Sequence, residues 1–100
     1  MKIFEDKLCS KELNDLYLGI VEAGKTVRYE FYILNEKTSY IRDLKFFTSH
    51  PEVTIVSAPE SLNSGDTGTL ILEWSPSVTL LEGLETKISY KGKEIWGKIL

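Results

Sequence analysis

The segment Val27-Arg28-Tyr29-Glu30-Phe31-Tyr32-Ile33-Leu34-Asn35 constrains the fold more than any other part of the chain. Side chains along a strand reverse direction at every residue. Val27, Tyr29, Phe31 and Ile33 therefore share one face, and Arg28, Glu30 and Tyr32 take the other. This alternation predicts a strand half-buried against a core, with Gly24 ahead of it and Asn35 behind it.

The same pattern recurs along the chain. Ile3-Phe4 opens a first strand, and the polar residues 6–13 form a helical turn or an irregular connection. Leu16 to Val21 alternates and is ended by Glu22-Ala23-Gly24. A polar turn, Glu36 to Ser39, leads into a strand from Tyr40 to Thr48, with Leu44 and Phe46 in register and Phe47 on the opposite side. His50-Pro51 breaks that strand, because proline lacks an N–H and restrains the residue before it. Val53 to Val56 is a short strand closed by Ala58-Pro59, and Asn63 to Gly68 is a run of turn formers. Thr69 to Trp74 places Leu70, Leu72 and Trp74 on one face, which makes Trp74 a core residue. Leu84 to Tyr90 supplies another strand, Lys91-Gly92-Lys93 reads as a tight hairpin turn, and a last strand runs from Ile95 to Ile99.

Turn signals every ~8–12 residues and no convincing helix predict an antiparallel sandwich or barrel of seven or eight strands. The connection between residues 57 and 69 is too long for a hairpin. It suits a strand that changes sheets, as a Greek key requires. Without repeats or linkers, residues 1–100 read as one domain, with 1–14 as an extended or irregular N-terminal segment.

Charge and cysteine content narrow the function. The net charge of −3 is too small for an acidic tail or for bulk nucleic-acid binding. Lys87, Lys91, Lys93 and Lys98 against Glu94 give residues 87–100 a local charge of +3. Solvated lysines on a terminal hairpin account for it, since lysine blunts an exposed sheet edge. One cysteine, Cys9, permits no intrachain disulfide, whereas a small extracellular sandwich usually carries one. The N-terminus turns charged at once, unlike a signal peptide, and no apolar run approaches the ~18 residues of a membrane helix. A soluble chain made in the cytosol is expected, without membrane contact.

No catalytic constellation is legible. His50 and Cys9 lie far apart without metal-ligand spacing, so His50 reads as a turn residue and Cys9 as a small packed side chain. Gly65-Asp66-Thr67-Gly68 matches the aspartic-protease triplet, but those enzymes need two such aspartates converging. Asp66 and Glu60 fall short of the six to eight oxygens calcium takes. Neither enzyme activity nor a metal or cofactor is expected. Sugar binding is a distant alternative, because Asn14, Asn35 and Asn63 are scattered and glutamine is absent.

Surface aromatic residues remain. If Ile95, Gly97 and Ile99 face the core, Trp96 points outward between Glu94 and Lys98, as Tyr32 does opposite Phe31. Rigid rings bury much area at little entropy cost, so Trp96, Tyr32, Lys98 and Phe47 form the candidate interface.

Leu18-Gly19-Ile20-Val21-Glu22-Ala23-Gly24, followed by Val27, Tyr29, Phe31, Ile33 and Asn35 at alternate positions, resembles the opening of cytosolic Ig-like modules. These are the major-sperm-protein-like domains and the related ciliary and centrosomal modules. The turn Leu62 to Leu70 is similar to theirs before the next strand, with Ser64 where proline is usual. The likeness spans residues 16–90. Antibody-type paired cysteines are missing, as is the basic cluster with which phosphopeptide-binding members hold acidic motifs, so that ligand is not carried over. The resemblance implies an Ig-like antiparallel sandwich used for assembly or protein contact. Free-standing chains of this kind occur among tailed-phage virion proteins. The expectation is a structural or accessory part of a larger assembly, with a phage particle and its repetitive capsid or tail surface leading. A cytosolic adaptor that binds one protein or peptide is the alternative.

Overall fold

The computed structural model describes residues 1–13 and 15–95. Eight strands appear among them: β1 (Lys2–Phe4), β2 (Leu16–Tyr17), β3 (Val27–Leu34), β4 (Tyr40–Thr48), β5 (Val53–Ser57), β6 (Thr67–Trp74), β7 (Glu85–Thr86) and β8 (Ile88–Ile95). All pairings are antiparallel, and none of the described residues is helical. The strands divide into a four-stranded sheet ordered β1-β3-β6-β5 and two pairs, β2-β7 and β4-β8. The all-β antiparallel class is as expected, while the strands are spread over three sheets.

The founding alternation holds. Phe31 and Ile33 of β3 are buried, as are Leu70, Leu72 and Trp74 of β6 and Ile41, Leu44 and Phe46 of β4. Leu16, Leu18, Val21, Val53, Leu62 and Leu84 complete the same core. Phe4 is buried away from it. It pairs with Tyr32 on the outward face of β3, beside residues 5–13, which fold back along β1 through Leu13 N–H to the Ile3 carbonyl at 2.8 Å.

Three elements differ from expectation. The strand expected over Leu16–Val21 is only two residues long, because Gly19 takes φ +77° and shifts the alternation, turning Ile20 outward and Val21 inward. The connection from β5 to β6 joins neighbours in one sheet. Its middle nevertheless crosses to β4, where Ile41 and Leu62 exchange backbone hydrogen bonds of 2.9 and 2.8 Å. Lys91-Gly92-Lys93 does not turn. It lies within β8, alongside the bulge between Arg42 and Lys45 of β4. A Cβ on Gly92 would sit 2.9 Å from both Ile41 Cγ2 and Leu44 Cδ2, so the glycine admits β4 side chains. The final strand expected over Ile95–Ile99 lies, beyond Ile95, outside the described residues.

Candidate protein-contact edge

β7 and β8 are one strand that changes neighbour at Lys87. Its early part pairs with β2, and Leu84 bonds to Leu18 and Gly19 on the same edge. Its later part pairs with β4 on the other edge, beginning where Ser49 N–H donates to the Lys87 carbonyl at 3.0 Å. Ser49 marks the change: its hydroxyl accepts from Lys87 N–H at 3.0 Å and lies 2.9 Å from the Thr86 hydroxyl. Successive backbone groups of a strand point to alternate edges. The N–H and C=O groups of Ile88, Tyr90, Gly92 and Glu94 therefore face the edge that β2 has left, and among the described residues that edge has no partner.

Beside the start of this edge is a groove of about 250 Å³. Ile3, Leu13, Leu16 and Ile88 give it apolar walls, and Asp15, Glu85, Thr86 and Lys87 surround them. The inward face of β8 continues with Tyr90, 40% exposed, whose ring lies 6.1 Å from that of Phe46. At the far end Lys37 Nζ donates to Glu94 at 2.7 Å, which raises the lysine pKa through this hydrogen bond first and the charge attraction second.

The outward face is basic. Register sets Arg42 opposite Lys93 and Lys45 opposite Lys91, and strand alternation puts Lys87 further along the same face. Arg42 has Asp43 at 3.6 Å, while Lys45, Lys87, Lys91 and Lys93 have no ion-pair partner among the described residues. Like charges facing across strands are destabilising. Sequence reading found the local positive charge of the C-terminal lysines but not the share of Arg42 and Lys45, which lie over forty positions away and meet Lys93 and Lys91 only through register.

The expected interface is not gathered in one place. Phe47, 44% exposed, stands on the outward face of β4 opposite Ser89. Tyr32 is half-buried on the outward face of the four-stranded sheet, between Phe4 and Thr69. Partial burial raises its phenol pKa, and the Glu30 carboxylate adds to that. Trp96 and Lys98 lie outside the described residues. His50 is half-buried in its turn and accepts from Glu52 N–H at 3.1 Å, and Cys9 is a half-buried free thiol with φ 54°. Asp66 and Glu60 are exposed, and no three His, Cys, Asp or Glu side chains converge among the described residues.

Among the described residues no helix is long and apolar enough to cross a membrane. No protein-family model, curated protein or solved structure matches the chain.

Proposed function

We propose that the chain is a non-enzymatic Ig-like module that acts through protein contacts as a structural or accessory part of a larger assembly, with a phage particle as the leading candidate. The edge of β8 that has no partner among the described residues, beside its apolar groove, carries this reading, because a free edge is a ready template for another chain. The β1-β3-β6-β5 order, with β4-β8 across the shared core, supports the Ig-like part of the proposal. Asn35 is fully buried, which removes it from the amides a sugar site would use.

Sedimentation of the tagged chain from its native source, with mass spectrometry of the fractions, tests the proposal. Co-migration with a large particle, at a copy number matching its symmetry, is expected. A chain found only in light fractions overturns the assembly reading. With a single bound partner there, the same edge would serve a one-to-one adaptor.

A further inference from the structure

Strand addition to β8 would demand particular chemistry of what is added, and the two faces of β8 state it. We propose that this edge accepts an extended segment of a partner protein in which acidic residues alternate with apolar ones. The inference rests on the protein-contact reading above and specifies the partner for that site.

The backbone comes first. Ile88, Tyr90, Gly92 and Glu94 offer donors and acceptors in strand spacing, a pattern that another peptide backbone completes and a nucleic acid or lipid headgroup does not. The outward side chains come next. Lys87, Lys91 and Lys93 share one face, and alternate residues of an added strand stand about 6.7 Å apart, twice the strand rise. Carboxylates at those positions would lie about 5 Å from the lysines. They would also offset the repulsion of Lys91 against Lys45 and of Lys93 against Arg42.

The inward side of the added strand meets different surroundings. Ile88 and Tyr90 continue the apolar wall formed by Ile3, Leu13 and Leu16, so apolar side chains belong there. Asp15 and Glu85 also line the groove, which favours the acidic positions opposite Lys91 and Lys93. A second copy adding its own β8 would bring lysines to lysines, so self-pairing at this edge is disfavoured.

Blocked peptides of about ten residues, alternating Glu with Val or Lys with Val, serve as probes against the full chain, since about three such pairs span the edge. NMR titration is expected to show the Glu peptide shifting the amides of Ile88, Tyr90, Gly92 and Glu94, and the Lys peptide leaving them unmoved. Raising NaCl from about 0.05 M to about 0.5 M is expected to weaken binding about tenfold. Lys45→Glu, which sets opposite charges across the strands at Lys91, is expected to raise Tm while weakening the Glu peptide about threefold.

Equal binding of both peptides, or binding of neither, overturns the inference. So do edge amides already protected from exchange in the free chain, which would mean that the edge is already paired. Tight oligothymidylate binding through the same lysines would assign the face to nucleic acid and overturn it too. A chain that travels with its particle yet ignores both peptides refutes this inference and leaves the assembly reading intact. Peptide binding by a chain that sediments alone does the reverse.

Discussion

Replacing Asn35 by leucine is expected to cost more stability than any change on the outer faces. Asn35 is fully buried at the end of β3. Its Nδ2 donates to the carbonyls of Ser39 at 2.8 Å and Leu62 at 3.1 Å, and its Oδ1 accepts from Lys37 N–H at 3.2 Å. Its backbone adds bonds to Asp66 at 3.0 Å and Gly65 at 2.8 Å. One side chain thus joins the β3–β4 turn to the loop ahead of β6. Leucine keeps the branched shape, adds methyl bulk at a fully buried site and removes three hydrogen bonds. The Leu62 carbonyl retains its bond from Ile41 N–H at 2.9 Å, whereas the Ser39 carbonyl and Lys37 N–H lose these partners. At about 1 kcal/mol per bond the loss is about 3 kcal/mol. In a domain of this size that lowers Tm by roughly 12–24 °C. Thermal and urea unfolding of Asn35→Leu, with an unchanged urea slope, measures it. Asn35→Asp is expected to fare no better at neutral pH, because it sets a charge against two carbonyl oxygens. A loss of under about 1 kcal/mol for the leucine variant would refute the reasoning, showing that packing alone holds these turns.

Gly92→Ala is expected to cost about 1–3 kcal/mol, because the added methyl overlaps Ile41 and Leu44 across the strands. A neutral result in chemical unfolding would mean that the chain turns at Gly92 and does not run on beside β4. The Asp6 carboxylate is held below its ordinary pKa of 3.8, first by the Ser10 hydroxyl and then by Lys11 N–H. A lowered folded pKa places the stabilisation above 3.8 and removes it as pH falls through the folded value. An acid titration following the Ser10 and Lys11 amides is therefore expected to show its midpoint below 3.8, and a midpoint at or above it would contradict the hydrogen-bonded loop.

The strands with uniform alternation were legible because their periodicity and burial agree. β3 and β6 interleave core and surface positions without a break, and their faces follow from sequence. Reading failed where a single residue resets the phase. Gly19, at positive φ, is one such position, and the bulge between Arg42 and Lys45, with Asp43 at φ 53°, is another. Gly92 misled for a related reason. A glycine between lysines fits a tight turn equally well as a strand position that must admit a neighbour's side chains, and only β4 decides between them. The lysines of β8 were legible as a local charge, but the share of Arg42 and Lys45 in the basic face was hidden, because cross-strand register is a tertiary property that spacing along the chain does not encode.

Among the described residues the β8 edge has no partner, and neighbouring donors are committed elsewhere. Ahead of β2, Leu13 N–H is given to the Ile3 carbonyl, which ties this segment to β1. On the other edge Ser49 holds Lys87 to β4 just before Pro51 turns the chain away. The last strand is therefore gripped on one side up to Thr86 and on the other from Lys87 onward. The hydrogen bond that ties Leu13 to Ile3 helps to shape the groove wall beside that edge. An incoming strand would find its apolar floor already built there by Ile3, Leu13 and Leu16.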